Sequence, residues 1–245
     1  MIKRDLYLKQ IKPFIDKPLI KVITGIRRSG KSVILKLLKE GLLERGIVES
    51  QIIHLNFESL EFSDIDSARK LYSYIKKRII KNKRSYILLD EIQEVNSWEK
   101  AVNSFLFDFD VDIYLTGSNS RLLSSELATY LTGRYVEIHL YPLSFSEYLQ
   151  FKTARTGKKE FNPKDEFETF LRMGGFPVLH IAEYPTEAAY RIVFDIYSSA
   201  ILRDTIQRKK IRDVELLERV VKFVLSNVGN KFSAKNVADY FKSQQ

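Results

Sequence analysis

The sequence contains no cysteine, which excludes disulfides, a thiolate nucleophile and cysteine-ligated zinc. Imidazole is almost as scarce: His54, His139 and His180 are scattered singly along the chain. Long apolar runs are missing too. The longest, Tyr86-Ile87-Leu88-Leu89, is four residues, against the roughly 18 that a membrane span needs. The opening Met1-Ile2-Lys3-Arg4-Asp5 has no apolar stretch behind its charges, as a secretory leader would. These absences predict a soluble, cytoplasmic protein with no membrane partner. Acidic residues are outnumbered, 31 Asp and Glu against 40 Lys and Arg, for a net charge of +9. Such a balance invites an acidic partner, although charge alone speaks first of solubility and non-specific attraction.

What is present suffices for a large core: 245 residues, 44% of them hydrophobic. Short apolar stretches recur at 19–24, 51–56, 85–90, 112–116 and 135–140. They are rich in Ile, Val, Tyr and Leu and do not alternate cleanly, as strands of a parallel sheet covered on both faces require. Helix-like stretches separate them at 32–44, 67–80, 98–107 and 122–131. Strand alternating with helix predicts an α/β layered domain over 1–150. Beyond Tyr141-Pro142-Leu143 the chain reads as helices broken by glycine and proline, which predicts a helical region over 151–210. Long helices are expected at 188–210 and 214–227.

The positive charge is uneven. Residues 201–245 carry ten Lys and Arg against five Asp and Glu. A second cluster, Lys76, Lys77, Arg78, Lys81, Lys83 and Arg84, lies between two apolar segments. It reads either as a solvated helix end or as a contact for an acidic partner.

Residues 25–33 read Gly25-Ile26-Arg27-Arg28-Ser29-Gly30-Lys31-Ser32-Val33. This is G-x-x-x-x-G-K-S between a predicted strand and a predicted helix, a phosphate-binding loop. The two glycines let backbone amides converge on phosphate oxygens, and the helix aims its unsatisfied amides at the same anion. Lys31 is expected to reach the β- and γ-phosphates and Ser32 to complete the coordination of Mg2+. The stretch Tyr86-Ile87-Leu88-Leu89-Asp90-Glu91 delivers two carboxylates at a strand's carboxyl end, where ligands sit in open parallel sheets. Asp90 is the expected second metal ligand, and Glu91 the group that polarises the attacking water. Asn82-Lys83 and Asn230-Lys231 lack the Asp two positions later with which GTPases read guanine, so ATP is the expected nucleotide. The strand 112–116 ends in Thr116-Gly117-Ser118-Asn119. Ser118, then Asn119, are the candidates to contact the γ-phosphate or position the water; a plain Gly-Ser turn is the alternative. Arg4 and Tyr7 stand just ahead of the first strand, where they would line an adenine pocket.

On these motifs the chain resembles the prokaryotic AAA+-related ATPases that join an N-terminal P-loop domain to a C-terminal winged-helix and nuclease-like part. The resemblance continues through Leu131-Thr132-Gly133-Arg134-Tyr135, Tyr141-Pro142-Leu143-Ser144-Phe145-Ser146-Glu147-Tyr148 and Gly174-Gly175-Phe176-Pro177. It implies an AAA+-like parallel sheet with helices on both faces, in which the Ser118 strand lies between those carrying Lys31 and Asp90. It also implies a smaller all-α region and, over 211–245, the start of a winged helix with Ser233 as N-cap. No nuclease residues are present to carry over. Arg134 becomes a candidate finger arginine acting on a neighbouring subunit's γ-phosphate, or else a surface residue beside Gly133. Three readings of function follow: a Mg-dependent ATPase driving a conformational cycle on DNA or a partner protein, a slow nucleotide-dependent switch, or a DNA-binding module that uses the P-loop domain as an assembly platform.

Overall fold

The computed structural model describes residues 2–118, 131, 133–158, 160–198, 206, 211–231 and 233–242. Asn119, the side chain of Ser118 and, but for Leu131, the helix expected at 122–131 lie outside them. So does most of 199–210.

Five strands form one parallel sheet: β1 (Ile20–Gly25), β2 (Ile52–Asn56), β3 (Ser85–Asp90), β4 (Val111–Ser118) and β5 (Tyr135–Leu140), in the order β2-β3-β4-β1-β5. The expected placement of β4 between β3 and β1 is met. α1 (Asp5–Ile11) precedes them, and α2 (Lys31–Glu44), α3 (Ala68–Lys76) and α4 (Trp98–Asp108) run between them. Every residue of β1 and β3 is buried, because helices cover both faces. Alternate side chains enter two separate cores. Ile20, Val22, Ile87, Leu89 and Leu115 pack with Leu71, Ile75, Val102 and Phe105 of α3 and α4. Ile23, Leu88 and Tyr114 pack with Tyr7, Ile34, Leu35 and Leu38 of α1 and α2. Each fully buried Leu or Ile contributes about 1.5–3 kcal/mol, which is why the apolar strands show no alternation in sequence.

One buried charge interrupts the second core. Lys21 is 0% exposed and is ion-paired to Asp112, which is likewise buried. Its ammonium also donates to the carbonyls of Lys17 and Leu19 and lies 4.9 Å from the Tyr114 ring centroid. Burial pushes the Lys21 pKa down and Asp112 opposes it. Every donor has a taker, so this end of the sheet tolerates the charge.

After β5 come α5 (Phe145–Thr156), α6 (Pro163–Met173) and α7 (Thr186–Ile196). A capping box starts α5, with Ser144 accepting from the Glu147 amide and Glu147 reaching back to the Ser144 amide. Aromatic contacts of Phe145 and Tyr148 with Phe170 join α5 to α6. The chain divides into compact units at Met1–Ile196 and Tyr197–Gln245, and the boundary expected at 150 falls inside α5. The second unit holds α8 (Val214–Ser226) and α9 (Ala234–Lys242). Asp213 caps α8, the Asn236 amide donates to Ser233 at the start of α9, and Phe223 packs against Tyr240 and Phe241. Among the described residues no helix is long and apolar enough to cross a membrane.

Candidate functional site

The registers Gly25 with Ser118, and Asn56 with Asp90, align the carboxyl ends of the strands along one edge of the sheet. The phosphate loop leaves β1 at that edge. A Cβ at Gly25 would lie 2.4 Å from the Leu140 carbonyl oxygen, so only glycine lets the loop pass this close to β5. Gly30 adopts φ +101° and leads into α2, whose first turn no side chain caps. Its opening amides therefore point toward the loop without a side-chain partner, a ready anion site.

Lys31 is buried, its Nζ 3.3 Å from the Gly25 carbonyl, 3.5 Å from that of Ile26 and 3.3 Å from Glu91 Oε1. Glu91 follows β3 in the left-handed region at φ +54°. That conformation costs a non-glycine residue about 1–3 kcal/mol and clusters at functional positions. It turns the carboxylate out of the strand line toward Lys31, while Gln93 Nε2 donates to Oε2 at 2.5 Å. The Glu91 amide donates to Thr116 Oγ1 at 3.0 Å, and the Thr116 hydroxyl donates to the Asp90 carboxylate. Thr116 of β4 thus ties the Asp90 carboxylate to the backbone of Glu91. The sequence points instead to Ser118, two residues on, and then Asn119, both of whose side chains lie outside the described residues. The signal for Thr116 was in the same strand: residues 116 and 118 share a face, and the earlier one is level with the end of β3.

A cavity of about 690 Å3 opens over the loop. Lys31, Ser32, Glu91 and Arg28 line its polar side, with Ile2, Phe151, Pro177, Val178 and Ile181 opposite. Arg27, Gly30 and Val33 also line it, whereas Gly25, Ile26, Ser29 and Asp90 lie outside its wall. Arg27 reaches Glu58 at 3.2 Å in an exposed pair, too solvated to matter much for stability.

Arg4 holds the loop from behind. It is 2% exposed, and its guanidinium binds both Glu147 oxygens at 2.8 and 2.9 Å, the Ser29 carbonyl at 3.0 Å and the Tyr141 carbonyl at 3.0 Å. It also lies 4.6 Å from the Tyr7 ring centroid. Burial raises the Glu147 pKa, and hydrogen bonds from Arg4 and the Ser144 amide overcome that, holding it below the usual value. Arg4 lines the cavity, and its donors are directed to Glu147 and to backbone carbonyls. Tyr7 is buried in the core, where its hydroxyl accepts from the Tyr141 amide, and it is not among the cavity-lining residues. The motif at 174–177 completes the clamp. The Leu143 amide donates to the Gly175 carbonyl at 2.6 Å, and a Cβ at Gly175 would sit 2.4 Å from the Leu143 oxygen. His180 bonds the Gly174 carbonyl through Nε2 at 2.7 Å, and burial depresses its pKa.

Arg134 is not brought into this site. It precedes β5 at the opposite edge of the sheet, where its carbonyl accepts from the Ile20 amide. Its guanidinium donates to Asn103 at 2.6 Å and lies 4.9 Å from the Phe107 ring centroid.

A family model described as an AAA domain matches residues 17–149, more than half of the chain, and the chain belongs to this family. Residues 164–245 match a model described as a domain of unknown function. An uncharacterized protein of Haemophilus influenzae is 38% identical over 246 residues, which is 100% of this chain and 60% of that protein. One from Methanocaldococcus jannaschii is 30% identical over 250 residues, 99% of this chain and 53% of that protein. The chain thus spans little more than half the length of these relatives. A Walker-type ATPase of Pyrococcus abyssi superposes with a TM-score of 0.59 at 14% identity, covering 99% of this chain and 88% of that one. At that identity the likeness is one of fold.

Proposed function

We propose that this AAA-family chain binds ATP with Mg2+ and hydrolyses the β–γ anhydride, coupling turnover to a conformational cycle on DNA or a partner protein. The observation that carries the reading is the meeting of Lys31 and Glu91 at 3.3 Å over the open N-terminus of α2. A cation for terminal phosphates and a carboxylate able to take a proton stand side by side, beside an apolar wall suited to a base.

The donor set fits Mg2+. Ser32 and Asp90 offer hard oxygens, and Mg2+ needs only one or two protein oxygens beside those of phosphate and water. When bound it would neutralise charge developing on the phosphate oxygens. The remaining steps belong to the chain. The α2 amides and Lys31 bind and orient the terminal phosphates. A phosphate at that position competes with Glu91 for Lys31 and so releases the carboxylate. Glu91 then orients a water and accepts its proton as the oxygen attacks the γ-phosphorus. The bond to the β-bridging oxygen breaks, giving ADP and phosphate. Thr116 fixes the Glu91 backbone and the Asp90 carboxylate throughout.

One observation favours the slower reading, a nucleotide-dependent switch: both Glu91 oxygens are engaged, by Lys31 and Gln93. The capped helix pair α8–α9 and the basic excess of 201–245 support reading the second unit as the start of a winged helix that meets DNA. The position of Arg134 on the outer edge supports a role across a subunit boundary in a homo-oligomer.

Two variants separate the roles. Lys31→Ala should lose ATP affinity. Glu91→Gln should keep Mg-ATP binding and lose turnover by about 10²-fold or more. Calorimetric titration beside a phosphate-release assay reads both; equal loss of binding in the two variants would refute the division of labour.

A further inference from the structure

The segment 69–84 reads Arg-Lys-Leu-Tyr-Ser-Tyr-Ile-Lys-Lys-Arg-Ile-Ile-Lys-Asn-Lys-Arg: eight cations and no carboxylate in sixteen residues. Its charge of +8 compares with +9 for the whole chain, the rest of which is nearly balanced. The segment covers α3 and the connection into β3, whose first residue lies at the end of the sheet away from the phosphate loop. Leu71 and Ile75 bury one side of α3. Arg69, Ser73, Lys76 and Lys77 follow at helical spacing on the solvent side, with Arg69 and Lys77 about 12 Å apart along the axis.

Neighbouring carboxylates neutralise little of this charge. Lys70 pairs with Asp66, and Arg84 with Asp110 and Asp16. Arg69, Lys76, Lys77, Arg78, Lys81 and Lys83 are exposed and make no ion pair with a described carboxylate. Between α3 and the preceding loop lies a groove of about 640 Å3, lined by Arg69, Lys70, Lys77 and Arg78 with Ser73 and Tyr74, against one carboxylate, Asp64, and Ile65 of the loop. The Arg78 guanidinium lies 3.5 Å from the Tyr74 ring centroid and donates to the Tyr74 carbonyl. That stack fixes its plane and leaves its outer edge free for a two-point contact with an anion.

We propose that the α3 face is a binding surface for the sugar–phosphate backbone of a nucleic acid. Charge complementarity selects this occupant. Protein partners anchor on buried aromatic and aliphatic side chains and avoid lysine, whereas no large apolar side chain is exposed within 69–84. A phosphate backbone needs cations and no apolar anchor, and draws affinity from counterion release. The α3 residues do not line the nucleotide cavity, so occupation of this surface is measured without nucleotide.

The test is fluorescence anisotropy of the full 245-residue chain with a labelled DNA duplex, and with an RNA duplex of equal length, across a salt series. Replacing Arg69, Lys77, Arg78 and Lys81 together by Ala should weaken binding at least about tenfold at low salt. The slope of log K against log[salt] should shrink by about 3 to 4, since each phosphate contact contributes about 0.9. Lys77→Arg with Lys81→Arg should bind like the parent, and an unchanged melting curve shows that the alanine variant is folded. A control with Lys222, Lys231, Lys235 and Lys242 changed to Ala should keep most of the slope. Binding of either duplex that depends on the α3 cations supports the surface. Three results overturn it: no binding of either duplex at low salt, parental affinity in the alanine variant, or α3-dependent binding only to polyglutamate or phosphatidylserine vesicles.

Discussion

Replacing Arg4 by Met tests whether the phosphate loop is held in place by a buried ion pair. Methionine keeps much of the packing volume but removes every donor. Glu147 then keeps its place at the start of α5 with no cation, and an unpaired buried charge costs about 3–5 kcal/mol. The carbonyls of Ser29 and Tyr141 lose their donors as well. The pH dependence identifies the cause. In the parent, Arg4 and the Ser144 amide hold the Glu147 pKa below its unfolded value despite burial. The pair's stabilisation is therefore complete above an unfolded pKa of about 4.3 and is lost as pH falls through the folded value. Without Arg4, burial dominates and the folded pKa rises above the unfolded one. The penalty is then greatest near pH 7 and shrinks as acid protonates Glu147. The double variant Arg4→Met with Glu147→Gln, which retains a capping side chain, should recover about half of the loss. Urea unfolding at pH 7 and pH 5 measures the stabilities, and titration with a fluorescent ATP analogue follows the loop. A cost below about 1 kcal/mol at pH 7, or a penalty that does not shrink in acid, would refute the reasoning.

Gly175→Ala should destabilise the chain by about 1–3 kcal/mol, because the new Cβ meets the Leu143 backbone oxygen at 2.4 Å; an unchanged melting temperature argues against the clamp. Thr116→Val should leave ATP binding within a few-fold and slow turnover about tenfold or more, with Thr116→Ser close to parent; equal rates for all three would remove Thr116 from the site. His54 and His180 both have pKa values lowered by burial. Their neutral forms support the fold above pH 6.5, and stability falls as pH drops below it toward the folded values. Thermal melts of His180→Gln should show a shallower acid slope than the parent; an identical slope would clear His180 of this role. Mixing Arg134→Ala with Glu91→Gln should restore part of the activity if Arg134 acts in trans, and no recovery with mixed assembly confirmed would leave it with Asn103 and Phe107.

The sheet was legible because its physics is local. Parallel strands buried on both faces must be continuously apolar, and 85–90 was assigned to the residue by that pattern. The phosphate loop was legible for a similar reason: its glycines, Lys31 and Ser32 are contiguous, and one turn of chain presents them all. Residues that act across the fold left weaker traces. Thr116 gains its role only when β4 is laid beside β3, which brings its hydroxyl to Asp90 and its Oγ1 to the Glu91 amide.

Arg4 shows the limit most clearly. Sequence places it ahead of the first strand, where a charged side chain is expected in solvent or on a ligand. Its meaning comes from Glu147, 143 positions away. Glu147 in turn sits there because a capping box at Ser144 starts α5, and because Gly175 lets residues 174–177 lie against Leu143. The strings at 141–148 and 174–177 match no catalytic or ligand pattern in sequence. In the fold they are the frame that fixes one carbonyl of the phosphate loop. A helical region that follows an α/β domain in sequence can therefore belong to its phosphate-loop edge in space, and residue 150 lies within that frame.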